Sequence, residues 1–364
     1  MADFDAASFA IKATNPNNEL LYDDKGIPSV MVYIPKFTMA DVITGGSSNT
    51  HPAFIVNGQE VDGIWISKYQ NIVKGGRAYS LPGEDPAANL TWDTARGYCE
   101  AKGDGWHMMT RAEFAAIALW CKAHGIAPLG NNDYGKDVSE TARTGIPKTY
   151  GTGADAGKIY HIATGSGPVT YSHDGTGAGI FDLNGNVSEW QGGIRTVKGE
   201  VQILANNNAA DSDHSQAADS AQWKAINAAD GSLITPNGSG TTTGSVKIDW
   251  ASNAAKYDTT IATQSDTSRS CLFANVTASA NIGDAAKELL IALGLLPDSS
   301  TAADYNGDYF YFNNGAAERL FVAGGTYTYG SNAGVFFLTG YSSARTSSNA
   351  NIGFRSAFVT LPTA

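Results

Sequence analysis

The hydrophobic pattern opens with a polar stretch. Residues 1–28 carry Asn-Pro-Asn-Asn at 15–18 and Asp-Asp-Lys-Gly at 23–26, and are expected to be an extension or arm. At 29–38, Ser-Val-Met-Val-Tyr-Ile-Pro-Lys-Phe-Thr alternates and is rich in β-branched residues, which predicts a strand. A second strand is expected from Gly63 to Tyr69. Two one-sided helices follow. The first starts near Thr91 and places Trp92, Ala95 and Cys99 on one face. The second starts at Thr110, whose partner three residues on, Glu113, makes a capping box. Phe114, Ile117, Ala118 and Cys121 then mark its apolar stripe. Residues 125–178 are rich in Gly, Asp, Asn and Thr and read mostly as loop, and Asn184-Gly185 suits a tight turn. The Asn/Ala/Asp and Gly/Ser/Thr tracts of 204–255 predict a long irregular insertion. A further helix is expected over 284–294, capped by Asp284, with Leu289, Leu290 and Leu293 on its apolar face and Gly294 and Pro297 to stop it. Strand-like runs from Leu320 to Ala323 and from Gly353 to Val359 close the chain. Strands at both ends with helices between them argue an α+β fold.

Composition narrows the function. Hydrophobic residues make up 42 % of the 364, enough for a packed core, while charged residues reach only 16 %. A formal net charge of -11 repels phosphate backbones, so nucleic acid is not an expected partner. The N-terminus lacks a basic region followed by an apolar one, and no run is long enough to span a bilayer. The expectation is synthesis in the cytoplasm without a signal peptide and without direct membrane insertion. Cys99, Cys121 and Cys271 fit no zinc or disulfide spacing and are expected to be buried thiols.

Catalytic patterns are missing: there is no HExxH and no Gly-x-Ser-x-Gly elbow. The run Asp304-Tyr-Asn306-Gly-Asp308 starts like a calcium loop, but its sixth position is Tyr309 rather than Gly, so it reads as a solvated turn. Asp211-Ser-Asp213-His214 reads as a polar loop.

The stretch from Thr326 to Asn351 is compositionally unusual. It holds one charged residue, Arg345, and no Lys, Glu, Asp, Gln, Met or Trp. Tyr, Ser, Thr, Gly, Asn, Ala and Phe dominate. Binding surfaces built from loops use this palette, because Tyr gives contact area with few rotatable bonds and Ser, Thr and Asn give adaptable hydrogen bonds. The competing reading is a Gly-rich pair of strands with an ordinary loop.

Several phrases occur in a telling order: Met31-Val-Tyr-Ile-Pro, Trp65-Ile-Ser-Lys-Tyr, Thr91-Trp-Asp-Thr-Ala, Thr110-Arg-Ala-Glu-Phe, Leu183-Asn-Gly-Asn-Val-Ser-Glu-Trp, Gly324-Gly and Gly353-Phe-Arg. This order resembles the C-type lectin fold of the formylglycine-generating-enzyme type, with Gly-Asn-Val-Ser-Glu-Trp close to that family's GNVWEW. The likeness covers residues 29–359, with 194–315 as a poorly matched insertion. Within that fold the chain looks most like the variable proteins of diversity-generating retroelements, which include phage tropism determinants and prophage receptor-binding proteins. Glu189-Trp-Gln-Gly-Gly-Ile-Arg, Gly330-Ser-Asn-Ala-Gly-Val-Phe and Asn351-Ile-Gly-Phe-Arg-Ser-Ala carry this narrower match.

The resemblance implies one lectin-like domain over 29–364, a variable region near 323–355, and ligand binding rather than catalysis. In such proteins template adenines are randomised, so AAY codons become NNY, which cannot encode Lys, Glu, Gln, Met or Trp. Carried over, the ligand-binding positions are Thr326, Tyr327, Thr328, Tyr329, Phe337, Thr339, Gly340, Tyr341, Ser342, Ser343, Thr346, Ser347, Ser348 and Ala350. They are expected to be exposed, with the rings of Tyr327, Tyr329, Phe337 and Tyr341 forming one patch. The first half should end on a strand and turn, and the second should be surface loop. The implied partner is a protein or glycan on a cell surface, met by a virion-associated or otherwise displayed molecule. No cofactor is required; the metal the resemblance suggests is a structural calcium near Asn186 and Glu189, against which stands a buried hydrogen-bonding role. Formylglycine-generating enzymes need Cys in the C-terminal region, where this chain has none, so an oxidase is the disfavoured alternative. A structural particle component without its own ligand is the other.

Overall fold

The computed structural model describes residues 2–341 and 343–362. The protein is a mixed α+β molecule, mostly sheet with few helices. A five-stranded sheet joins the two ends of the chain. Its strand order is Asn18–Tyr22, Pro28–Pro35, Gly63–Ser67, Ser356–Phe358, Trp106–Met108. The expected arm is therefore partly structural, because Asn18–Tyr22 pairs along its whole length with the next strand. Ala2–Thr14 before it is helical.

The two central helices form as their local signals dictate. Trp92–Glu100 is capped by the Thr91 side chain. Arg111–Ala123 starts at a complete capping box, with Thr110 and Glu113 satisfying each other's backbone N–H. This second helix runs through the centre of the core, where Phe114, Ile117 and Leu119 are buried. The third helix, Asp284–Ala292, differs in one detail. Gly283 occupies the cap position and Asp284 is the first helical residue, placed to favour the helix dipole.

The largest departure from the sequence reading concerns the insertion, which is not irregular. It contains a seven-stranded sheet built from Ile194–Val197, Glu200–Ile203, Lys224–Ile226, Leu233–Ile234, Lys247–Ala251, Ala254–Asp258 and Thr277–Ala278. Two of its tight turns are Lys198-Gly199 and Ser252-Asn253, with both residues at positive φ in each pair. That geometry matches the right-handed twist of a hairpin. The insertion shares one hydrophobic core with the rest, since Val201, Ile203, Val246, Ile248 and Leu290 belong to the same cluster as Ile34, Ile64, Ile66 and Phe114. It also lends strands Arg269–Leu272 and Tyr309–Phe312 to a six-stranded sheet completed by Leu338–Gly340, Val322–Ala323, Ser188–Trp190 and Ile352–Gly353. That sheet carries the C-terminal segment.

Candidate binding face

The scaffold beneath the C-terminal segment is a buried polar lattice. Ser188–Trp190 pairs antiparallel with Val322–Ala323 and parallel with Ile352–Gly353, which brings the Gly-Asn-Val-Ser-Glu-Trp and Gly-Phe-Arg phrases side by side. Arg355 then reaches back. Its Nε and Nη2 donate to the two Glu189 carboxylate oxygens at 3.0 and 2.8 Å, Nη1 donates to the Ser67 carbonyl at 2.7 Å, and Nη2 also to that of Phe181 at 2.8 Å. Both side chains are buried. Gln70 Nε2 lies between the carbonyls of Asp182 and Val187 and Glu189 Oε1. Asn186 donates to Gln70 Oε1 and the Ile162 carbonyl, while its own oxygen accepts from Asn131 Nδ2 and Ile162 N. These residues do not fit a calcium ion near Asn186 and Glu189. The carboxylate is already neutralised by a guanidinium, and an ion would have to displace that charge. The geometry fits the buried hydrogen-bonding role.

Two glycines hold the entry to the face. Gly324 and Gly325 have φ of +87° and +79°, and a Cβ on Gly324 would lie 2.6 Å from the Leu183 carbonyl oxygen. Asn184-Gly185 turns below them, but the left-handed residues are Gly185 and Asn186 rather than Asn184.

The first half of the predicted ligand-binding positions follows strand and turn as expected, yet much of it is packed. Thr326 is 1 % exposed, Tyr327 6 % and Phe337 0 %, and Thr339, Gly340 and Ser343 are also buried. Tyr329 and Ser347 are half-buried, whereas Thr328, Tyr341, Thr346, Ser348 and Ala350 are exposed. Ser342 lies outside the described residues. The four rings therefore do not form one exposed patch. Tyr341 and Phe337 flank the strand Leu338–Gly340 at opposite ends, so about 13 Å of extended chain separates them.

The rings instead join aromatics that the sequence reading did not single out. Tyr327 stacks on Tyr160 with centroids 4.4 Å apart and lies 6.0 Å from Tyr134. Tyr134 N donates to the Tyr327 carbonyl at 3.0 Å, and Lys158 Nζ sits 4.6 Å from the Tyr134 ring centroid. Burial, with the neighbouring phenols of Tyr160 and Tyr134, pushes the Tyr327 hydroxyl up to about 12, so it stays a donor at neutral pH. A second group is Tyr329, Phe337 and Tyr311, at 4.8 to 6.0 Å. Tyr134, Tyr160 and Tyr311 are partly exposed, so the face is built from three separated segments. Tyr134 lies in a loop and Tyr160 and Tyr311 on short strands, and nothing local to any of them signals that they would meet the C-terminal segment.

The second half, Tyr341 and 343–350, is loop at the surface, and main-chain groups tether it. Arg319 Nε donates to the Tyr341 carbonyl at 2.7 Å, and Leu320 N to that of Ser343 at 2.9 Å. Asn89 N donates to the Asn349 carbonyl at 3.0 Å, and His161 Nε2 lies 2.9 Å from that of Ala350. Two side chains help: the Ser343 hydroxyl donates to the Leu320 carbonyl, and Arg345 pairs with Glu318 and Asp93 over the Trp92 ring. His161 packs edge-on against Tyr327, so the end of the loop meets the first aromatic group.

No protein-family model and no curated protein matches the chain. Among solved structures, PvdO from Pseudomonas aeruginosa is similar at a TM-score of 0.29 and 15% identity, covering 93% of this chain and 97% of that one. The Major Tropism Determinant P3c Variant is similar at 0.30 and 11%, covering 94% and 71%. Likeness at this level assigns neither fold nor activity.

Proposed function

We propose that the protein is a hypervariable binding protein of the C-type lectin fold, formylglycine-generating-enzyme type, whose C-terminal surface recognises a protein or glycan on a host cell for a phage or prophage particle. The observation that carries this reading is the tethering of Tyr341 and of 343–350. Carbonyls of Tyr341, Ser343, Asn349 and Ala350 hold the loop, and these bonds are indifferent to side-chain identity. Thr346, Ser348 and Ala350 are exposed between or at those anchors and can change without loosening the backbone. The partly exposed Tyr134, Tyr160 and Tyr311 supply a constant aromatic rim, of the kind that carries binding energy in loop-built interfaces.

The oxidase alternative is the weaker reading. Burial pushes the thiols of Cys99 and Cys121 well up and raises that of Cys271, which disfavours the thiolate that such chemistry requires. The decisive test is genetic. The DNA near the gene should hold a second copy of codons 326–350 that differs only where the copy has adenine. A copy differing at other bases as often, or no copy at all, would refute the diversification reading.

A further inference from the structure

Away from the C-terminal face, a cavity of about 370 Å³ opens between the strand Pro28–Pro35, the helix Arg111–Ala123 and the loop from His173 to Ala178. That volume lies within the range of small-molecule sites. The periods of the two elements make its floor apolar. Val32 and Ile34 are two apart on the strand, and Ile117 and Trp120 are three apart on the helix, so each pair shares a side. Val32, Ile34 and Ile117 are at most 8 % exposed. The Trp120 ring is half-buried and is held by two imidazoles, stacked on His124 at 3.9 Å and tilted against His173 at 5.3 Å. Polar groups stand at the mouth, where Asn17 and Thr176 are exposed and Asp174 partly so.

Of the polar side chains that line the cavity, His173 alone is buried. Its Nδ1 accepts from Ile180 N at 2.9 Å, which leaves the hydrogen of the neutral ring on Nε2. Burial pushes its pKa down to about 4, so the ring is neutral at pH 7. Among the described residues, nothing accepts from that Nε2–H. A buried donor without an acceptor is costly, so an acceptor that enters the cavity gains by meeting it. At the mouth, Asp174 Oδ1 accepts from Thr176 N and Oγ1 at 2.9 and 3.0 Å, while among the described residues nothing donates to Oδ2. No lysine or arginine lines the cavity, so an anion would meet a carboxylate with no cation to offset it.

We propose that this cavity is a second binding site, for a small uncharged ring compound that carries a carbonyl-type acceptor. The ring lies on Val32, Ile34 and Ile117, the acceptor takes the His173 Nε2–H, and a donor on the same polar group faces Asp174. The cavity shares no residue with the C-terminal segment, so it can be filled whatever that face recognises.

The test titrates the full chain with benzamide, which joins an apolar ring to a carbonyl and an amide N–H, and with its anionic counterpart benzoate. Binding is read from the indole N–H resonance that Trp120→Phe removes. Benzamide should saturate in the millimolar range expected of a fragment, and benzoate should bind at least about tenfold more weakly. His173→Phe, which keeps a ring but removes the donor, should weaken benzamide by about three- to tenfold, the worth of one hydrogen bond. Asp174→Asn keeps the Oδ1 acceptor and should narrow the gap between the two probes. Ala178→Leu should block both, with Tm unchanged, because Ala178 is half-buried at the cavity wall and its partner, Asn18 Nδ2, bonds only its carbonyl. No saturation by benzamide up to about 50 mM, beyond the fragment range, would overturn the proposal. So would benzoate binding as tightly as benzamide, or benzamide binding undiminished in a folded Ala178→Leu variant.

Discussion

The Arg355–Glu189 pair provides the sharpest test of how the face is supported. Replacing Arg355 by Met keeps a long side chain but removes four donated bonds: two to Glu189 and one each to the carbonyls of Ser67 and Phe181. Leaving one member of a buried pair behind costs about 3–5 kcal/mol. The two abandoned carbonyls add about 1–3 kcal/mol each where no other donor reaches them. Arg355→Met should therefore destabilise by about 5 kcal/mol or more, a large share of a domain's stability. Glu189→Gln alone should cost about 3 kcal/mol, because the guanidinium keeps its carbonyl partners. The double variant should cost at least about 2 kcal/mol less than the sum, since the second change removes the stranded charge. Equilibrium urea unfolding of the four proteins gives each value and the coupling. If Arg355→Met cost under about 1 kcal/mol, or the two changes simply added, the pair would not be the keystone of the scaffold.

Four further outcomes are expected. Trp190→Ala, at a fully buried ring whose Nε1 donates to the Leu90 carbonyl at 3.0 Å, should cost about 3–5 kcal/mol, against under about 1 for Thr346→Ala or Ser348→Ala, by denaturant unfolding. Gly340→Ser should cost about 1–3 kcal/mol, because a Cβ there would lie 2.8 Å from the Phe321 ring; if it is as mild as Thr346→Tyr, Gly340 is a freely variable position after all. Buried His107 lies 2.8 Å from Glu113 Oε1; burial disfavours its charge, but the carboxylate outweighs that and raises its pKa above the usual 6.5. Its stabilising charge is thus fully present below pH 6.5 and lost as pH rises through the folded-state value, so melting temperatures should fall on that alkaline side in wild type and not in His107→Gln. Burial raises Asp182 to about 6 from 3.8, so ionising it costs about 3 kcal/mol. That cost grows between pH 4 and 6, and Asp182→Asn should gain on wild type across that window and stay ahead above it; parallel curves would remove Asp182 from the account.

Legibility in the sequence followed the range of the interactions. The capping box of Thr110 and Glu113 could be read directly, because both partners lie within one turn. The paired-strand arrangement of Ser188–Trp190 and Ile352–Gly353 came only through resemblance, since nothing local to Arg355 says that Glu189 will meet it. The insertion was misread as irregular for a physical reason. Its strands are two to five residues long and use Ala and Lys where alternation would use larger apolar residues, as in Ala254-Ala-Lys-Tyr-Asp. The turns that could have revealed it, Lys198-Gly199 above all, were short-range signals of a hairpin. The burial of Tyr327 and Phe337 was not legible either. Their partners, Tyr134, Tyr160 and Tyr311, sit in distant segments whose own patterns suggest only loop and strand.

One palette of residues consequently does two jobs in the C-terminal segment. Tyr, Ser, Thr and Gly at 326, 327, 339, 340 and 343 fill space inside the sheet or its edges, where each neighbour fixes what can sit there. The same residue types at 328, 341, 346 and 348 face outward, the last three on a loop held by the carbonyls of Tyr341, Ser343 and Asn349. Diversification acting evenly on both sets would waste most variants at the first and succeed at the second. A surface that must change its specificity while keeping its fold needs this separation. On the proposed reading, fixed rings such as Tyr160 and Tyr311 would give a ligand a constant apolar foothold, and the outward residues of the loop would decide which ligand can use it.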